Sequence, residues 1–150
     1  MAILHLGEKY RLKRVPKGDS RLIWLEGNCV HVSSFVTEGK EINYMLKRWQ
    51  DREAKRYIVD RVRVISDLTG LEARKISFRN QRRRWGSCNE FGDLSLNLRL
   101  IELPESLIDY VIIHELAHTV HMNHSRHFWN LVDTFCPGAK GIDKTLQTWA

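Results

Sequence analysis

A His-Glu-x-x-His sequence occupies residues 114–118 and carries the side chains best suited to chemistry. Residues four apart share one face of a helix, so the imidazoles of His114 and His118 can bind the same metal ion. Glu115 lies about 100° round the axis from His114, where its carboxylate can take a proton from a metal-bound water. Zinc is the expected ion, because it binds neutral imidazoles and brings the pKa of its bound water to about 7. The spacing predicts a zinc-dependent hydrolase with Glu115 as general base.

A third protein ligand is expected, because catalytic zinc usually binds three side chains and a water. Glu115 is the last glutamate in the sequence, so the downstream candidates are His121, His124, His127, Asp133 and Asp143. On a straight helix His121 lies about 10.5 Å along the axis from the first histidine of the motif, too far for convergence. His124 has the spacing of the metzincin pattern His-x-x-Gly-x-x-His, although His121 replaces its glycine. We favour His124 as the third ligand, with His127 as the fallback.

The alternative is a buried structural helix whose histidines are merely hydrogen-bonded. The residues around the motif are mostly Leu, Ile and Val, so the helix is predicted to be buried. Burying imidazoles and a carboxylate without partners costs several kcal/mol, which favours the metal site.

The elements that position the motif follow from hydrophobic periodicity and from turn residues. Residues 8–33 read as a short β-meander with turns at Pro16–Ser20 and Glu26–Asn28. Residues 37–68 show helical spacing, as one helix or as two joined near Asp51, ended by Thr69 and Gly70. The sequence thus predicts a small sheet followed by a long helix.

The second half of the chain is predicted to hold the active-site elements. A sheet is expected over 75–100, because apolar and polar residues alternate strictly from Leu94 to Leu100. Pro104 suits the first turn of an active-site helix over 104–122, which Asn123 could end in a left-handed conformation. Ser125 can then cap the first of the C-terminal helices, predicted within 125–149. The 150 residues are expected to form a single domain.

The charged residues are distributed unevenly along the chain. The chain holds 24 Lys and Arg against 18 Asp and Glu, but residues 40–84 alone hold 14 against 6, a net of +8. This region could bind a nucleotide or nucleic acid. A solvated helix face with pairs such as Asp51–Lys55 is the commoner explanation of such a charge excess. Arg82, Arg83 and Arg84 beside Trp85 could grip phosphate, or could equally form a solvated strand end with Trp85 in the core.

The composition also indicates the cellular compartment in which the protein is expected. Three widely separated cysteines indicate neither a disulfide framework nor a thiolate zinc site. No secretory signal is evident, and no apolar run reaches the ~18 residues that span a bilayer. We therefore expect a cytoplasmic protein without a membrane partner.

Four segments together resemble the YgjP-like metallopeptidase family, a zincin group that is also similar to the SprT-type metalloproteases. They are Arg-Arg-Arg-Trp-Gly-Ser-Cys (82–88), Leu-Ser-Leu-Asn-Leu-Arg-Leu (94–100), Asp-Tyr-Val-Ile-Ile-His-Glu-Leu-Ala-His (109–118) and Asn-His-Ser-Arg-His-Phe-Trp (123–129). The resemblance implies an α+β, zincin-like metalloprotease core with a small antiparallel sheet, a long N-terminal helix and a buried active-site helix. It also implies zinc ligands His114, His118 and His124, with Glu115 as general base. The edge of strand 94–100 would pair with an extended substrate.

Three functions follow as hypotheses from these residues. The first is a zinc metallopeptidase acting on a peptide or protein, the second a metal-dependent nucleoside triphosphate pyrophosphatase, and the third a nucleic-acid-associated zinc protein. The candidates for substrate contact are Arg84, Trp85, Asn97 and His127. By proximity in sequence, Tyr110, Arg126 and His127 are candidates for stabilising the oxyanion.

Overall fold

The described residues form two small sheets and four α-helices, an α+β fold as predicted. The computed structural model describes residues 2–15, 22–33 and 40–149. The strands are β1 (Ala2–His5), β2 (Glu8–Val15), β3 (Ile23–Glu26), β4 (Cys29–Ser33), β5 (Lys75–Arg79), β6 (Gly86–Cys88) and β7 (Asp93–Asn97). The helices are α1 (Lys40–Thr69), α2 (Glu105–Ala117), α3 (Arg126–Phe135) and α4 (Ala139–Gln147), with a 3₁₀ helix over Leu98–Glu102. No described helix is both long and apolar enough to cross a membrane.

The N-terminal sheet is not the predicted meander. Its strand order is β1-β2-β4-β3, and β2 pairs with β4 in parallel, with Leu12 opposite Val30. A meander would place β3 between them, but β3 instead pairs antiparallel on the outer side of β4. The sequence also missed β1, which lies before residue 8. The predicted turn at 26–28 is present, with Gly27 at a φ of +61°, whereas Pro16–Ser20 lies outside the described residues.

Helix α1 is one continuous helix that contributes to two hydrophobic clusters. Ile42, Leu46 and Trp49 pack with the N-terminal sheet, whereas Ile58 and its neighbours at helical spacing join the larger core. The predicted start at residues 37–39 lies outside the described chain. The predicted end is confirmed, because Thr69 is the last helical residue and Gly70 follows at a φ of +73°.

The predicted strand 94–100 stops at Asn97. The Asn97 side chain accepts a hydrogen bond from the Arg99 amide at 3.0 Å and caps a 3₁₀ helix, which buries Leu100 and Ile101. The sheet order is β5-β7-β6, with β5 parallel and β6 antiparallel to β7. The sheet is therefore mixed rather than antiparallel, and β7 is its central strand.

Helix α2 is shorter than predicted. It begins after Pro104, as expected, but ends at Ala117 rather than near residue 122. The next amides, from His118 to Val120, bond three residues back, which tightens the chain into a turn. Asn123 is not left-handed, since Leu6 is the non-glycine with positive φ in the described chain. The predicted cap of α3 is confirmed: the Ser125 hydroxyl accepts a hydrogen bond from the Phe128 amide at 3.3 Å.

The turn between β1 and β2 joins the N-terminal sheet to the larger core. The Leu6 and Gly7 amides donate to the carbonyl oxygens of Ile101 and Glu102 at 2.6 and 2.9 Å. Gly7 has a φ of +83°, and a Cβ there would lie 2.8 Å from Pro104 Cγ and 3.1 Å from its Cα. Glycine is required here both by conformation and by space.

We expect Gly7→Ala to lower the free energy of unfolding by about 3 kcal/mol, because a left-handed alanine is strained and its methyl group meets Pro104. Gly27→Ala is the matched control: Gly27 also has positive φ, but a Cβ at this position would have nothing within 4 Å of it. Its cost is expected to be about 1 kcal/mol. Urea denaturation monitored by circular dichroism measures both; equal costs would contradict the role of the Pro104 contact.

Candidate metal centre

Three histidines converge at the end of α2. His114 and His118 are on successive turns of the helix region, and His124 lies in the segment before α3. One ligand nitrogen from each lies within 4.8 Å of the other two, and the Nε2 atoms of His114 and His124 are 3.2 Å apart. Two nitrogens bound to one tetrahedral zinc at ~2.0–2.1 Å would lie about 3.4 Å apart. The histidine cluster could therefore hold a metal ion.

The early end of α2 is what brings His124 to the cluster. Because the chain turns after Ala117, His121 does not continue the face of His114 and His118. Its backbone carbonyl instead accepts a hydrogen bond from His118 Nδ1 at 3.0 Å. The fallback ligand, His127, is exposed, and its ring stacks on that of His121 with centroids 5.9 Å apart.

Hydrogen bonds orient two of the imidazoles so that each directs Nε2 towards the cluster. His118 Nδ1 donates to the His121 carbonyl, which leaves the Nε2 lone pair free. The Tyr110 hydroxyl donates to Asp143 Oδ1 at 2.9 Å, so it can accept a hydrogen bond from His114 Nδ1 at 3.2 Å. Partners of this kind fix the tautomer of a histidine ligand and raise its basicity.

Aromatic side chains of α3 restrict the same rings. Phe128 is fully buried and stacks on His118 at a centroid distance of 4.5 Å. Trp129 stacks on His124 at 6.0 Å. Sequence reasoning gave Phe128 and Trp129 no role at the cluster, and it missed Tyr110 as a partner of His114 and Asp143 as the partner of Tyr110. The spacing of four between Tyr110 and His114 on one helix could have revealed that pair.

Burial shifts the pKa of two of the three histidines and of the neighbouring carboxylate. Burial, followed by the neighbouring histidines, lowers the pKa of His114 to about 4, and burial also lowers the pKa of His118. Burial raises the pKa of Glu115 to about 7, although the charge of Arg84 opposes this. Glu115 is 6% exposed, and its Oε2 has no hydrogen-bond partner among the described residues. An orphaned, buried carboxylate oxygen beside three histidines fits a metal-centred site.

A cavity of about 190 Å³ opens beside the cluster. Its walls include Arg84, Trp85, Gly86, Tyr110, His114 and Glu115. Gly86 belongs to β6, and a Cβ at this position would lie 3.0 Å from Glu115 Cγ. The missing side chain therefore lets β6 approach the carboxylate closely.

The predicted substrate-contact residues separate into two groups. Arg84 and Trp85 line the cavity, and Trp85 also packs against the larger core. Asn97 is 3% exposed, and its Nδ2 donates to the carbonyls of Gln81 and Arg84 at 2.6 and 2.7 Å. His127 is not among the residues lining this cavity. Asn97 thus supports the loop that carries Arg84.

Two further candidates, Asp133 and Arg126, belong to α3. Asp133 accepts a hydrogen bond from the Ala139 amide at 2.9 Å, at the start of α4. Arg126 is exposed in the first turn of α3. The three cysteines are free, as expected.

The fold is similar to two solved metallopeptidase zymogens. Abylysin from Pyrococcus abyssi is 27% identical in sequence, with a TM-score of 0.54, and the match covers 61% of this chain and 92% of that one. Jannalysin from Methanocaldococcus jannaschii is 26% identical, with a TM-score of 0.53, and the match covers 62% of this chain and 97% of that one. No curated protein shows significant sequence similarity.

The family comparison extends over nearly the whole chain. The family model of the YgjP-like metallopeptidase domain matches residues 1–148, well beyond the motifs between residues 82 and 129. It includes the N-terminal sheet and α1 as well as the histidine cluster. The resemblance noted in the sequence is confirmed: this chain is a metallohydrolase that belongs to the YgjP-like metallopeptidase family.

Proposed function

We propose that the protein is a zinc-dependent peptidase in which His114, His118 and His124 hold the metal. The observation that carries this proposal is the convergence of three imidazoles, with ligand nitrogens within 4.8 Å of one another, beside a buried carboxylate. Three neutral imidazoles are a usual protein ligand set for catalytic zinc, which keeps a further position for water. A bound zinc ion would supply a water of lowered pKa and polarise the scissile carbonyl.

Glu115 is the proposed general base. Its Oε2 is free of hydrogen bonds in the described chain, and the side chain lines the cavity where a substrate would lie. There the carboxylate takes the proton of the attacking water. It then delivers this proton to the leaving amine nitrogen as the peptide C–N bond breaks. Because Gly86 has no side chain, β6 lies close to this carboxylate.

The substrate is proposed to lie along β6. The sequence suggested the edge of strand 94–100, but β7 has neighbours on both sides and offers no free edge. β6 ends the strand order, and Gly86 at its start lines the cavity. An extended peptide can add to such an edge through main-chain hydrogen bonds. Its scissile carbonyl would then face His114 and Glu115.

A pyrophosphatase is the second candidate, and Arg84 is the observation that favours it. The sequence suggested that Arg82, Arg83 and Arg84 could grip phosphate, and Arg84 does line the cavity with His114. Guanidinium groups match phosphate oxygens well. Release of pyrophosphate from nucleoside triphosphates by the zinc-loaded protein, without cleavage of unfolded protein, would favour this candidate over the peptidase.

We expect His114→Ala, His118→Ala and His124→Ala each to abolish near-stoichiometric zinc binding, because each removes a ligand from a closely spaced set. His127→Ala is the matched control, since it removes an exposed imidazole from the same segment and should retain zinc. Elemental analysis after dialysis measures the zinc, and circular dichroism verifies folding. If His124→Ala kept zinc while His127→Ala lost it, the ligand assignment would be wrong.

Glu115→Gln should keep zinc and its fold but lower turnover by about 10³-fold, because the amide cannot accept the proton of the attacking water. Glu90→Gln, at an exposed position, makes the same chemical change away from the cavity and should leave turnover unchanged. Hydrolysis of a fluorescently quenched unfolded protein provides the rate. Undiminished cleavage by Glu115→Gln would remove this residue from the mechanism.

Tyr110→Phe should weaken zinc binding by about 10- to 100-fold, because His114 Nδ1 loses its hydrogen-bond acceptor and with it the link to Asp143. Tyr44→Phe removes an exposed hydroxyl that bonds only a neighbouring side chain, Arg48, and should leave zinc affinity unchanged. Competition with a fluorescent chelator measures the dissociation constants. Equal affinities for both variants would show that the Tyr110 hydroxyl does not support the site.

A further inference from the structure

The basic residues of 40–84 lie mostly on α1 and in the loop that follows β5. On α1, four basic side chains have acidic neighbours: Lys47 is 2.7 Å from Asp51, Arg56 2.6 Å from Glu53, Arg61 2.7 Å from Asp109, and Arg63 3.6 Å from Asp60. Asp51 thus pairs with Lys47 and not, as predicted, with Lys55. The arginine loop, defined as residues 79–84, carries Arg79, Arg82, Arg83 and Arg84. All four are exposed, and none forms an ion pair within the described chain.

The backbone of the arginine loop is held by Asn97. This buried side chain donates to the carbonyls of Gln81 and Arg84, and the Asn97 amide donates to the Trp85 carbonyl at 2.9 Å. These bonds hold the loop backbone, so the arginine side chains project from a fixed base. The charge of Arg84 acts on the Glu115 carboxylate, whereas Arg79, Arg82 and Arg83 form no ion pair within the described chain. A group of like charges on a held backbone is suited to bind an anionic ligand.

The arginine loop is continuous with the catalytic cavity. It lines a surface recess of about 570 Å³ together with Ser87, and Arg84 also lines the cavity that contains His114 and Glu115. Gly86 begins the edge strand two residues after Arg84. A polypeptide paired with β6 therefore passes the arginine loop a few residues from its scissile bond, since an extended chain advances ~3.3 Å per residue.

We propose that the arginine loop is a specificity subsite that selects substrates with acidic residues on one side of the scissile bond. The inference rests on the proposed peptidase function and names its substrate class. Carboxylates of Asp and Glu would meet the exposed guanidinium groups of Arg79, Arg82 and Arg83, which form no ion pair within the described chain. The peptide backbone lies on β6, while its acidic side chains occupy the recess.

Nucleic acid fits this recess less well than an acidic peptide. Proteins that bind single strands combine basic grooves with aromatic platforms for the bases. The recess is lined by Arg79, Gln81, Arg82, Arg83, Arg84 and Ser87, none of which is aromatic. The nearby Trp85 already carries the Arg99 guanidinium 5.2 Å from its ring centroid.

The experiment compares two double variants that remove equal charge. R82S/R83S alters the arginine loop, whereas R52S/K55S alters exposed positions on α1. Zinc-loaded proteins digest a complex peptide library, and mass spectrometry identifies the cleaved bonds. For the unaltered chain we expect Asp and Glu to be favoured on one side, about threefold for each carboxylate and about tenfold for a pair. R82S/R83S should lose this preference and R52S/K55S should keep it.

Binding is measured separately so that the two proposals can fail independently. In the Glu115→Gln background, fluorescence anisotropy compares labelled hexaglutamate, hexaglutamine and oligothymidylate. We expect hexaglutamate to bind about tenfold more tightly than hexaglutamine, and R82S/R83S to abolish the difference. If hexaglutamate binds in an arginine-dependent way but the zinc-loaded unaltered protein cleaves no peptide in the library, the subsite is supported and the peptidase is overturned.

Three results would overturn the acidic subsite. The first is cleavage without acidic preference, which would leave the peptidase standing. The second is a preference that survives in R82S/R83S or disappears equally in R52S/K55S. The third is tighter arginine-dependent binding of oligothymidylate than of hexaglutamate, which would assign the loop to nucleic acid.

Discussion

The structure depends on holding the imidazoles of His114, His118 and His124 close together beside the larger core, where His118 is buried and His124 is exposed. Burial disfavours the charged form of His114, and the neighbouring histidines disfavour it further, so the pKa of His114 falls to about 4. Neutral imidazole is the form that binds metal. The protein also determines which imidazole nitrogen faces the cluster. The His121 carbonyl binds Nδ1 of His118 and the Tyr110 hydroxyl binds Nδ1 of His114, so Nε2 of each ring is left for the cluster. Packing of α3 against these rings supports the same orientation.

Asn97 has a comparable role behind the segment that carries Arg84 into the cavity wall. It ends β7, caps the 3₁₀ helix and holds the backbone before β6. One buried amide thus links the central strand to the arginine loop and positions the edge strand beside Glu115. This explains why a polar residue is tolerated at 3% exposure: its hydrogen-bonding groups are used by backbone partners. The arginine loop and the strand beside Glu115 therefore share one buried support.

The residue pattern was most informative where chemistry and periodicity coincided. The histidine-glutamate motif, the buried α2 and the Ser125 cap were all recognisable, because each depends on neighbours within one or two helical turns. The predictions were wrong where two local structures suit the same residue pattern equally well. The alternation of Leu94–Leu100 suits a strand, yet the Asn97 cap converts its second half into a 3₁₀ helix that still buries Leu100. Parallel pairing of β2 with β4 involves contacts distant in sequence, which periodicity does not encode.

By itself, the sequence determined the donor chemistry: imidazoles at 114, 118 and 124, a carboxylate at 115, and a group of arginines at 79–84. Residue types and helical spacing suffice for that, since they specify which groups exist and which share a helix face. Only the tertiary structure decided that α2 ends before His121, that β6 rather than β7 is the free edge, and that the arginine loop borders the cavity. These outcomes depend on where chain reversals bring distant segments together, and that choice is made by packing across the whole core.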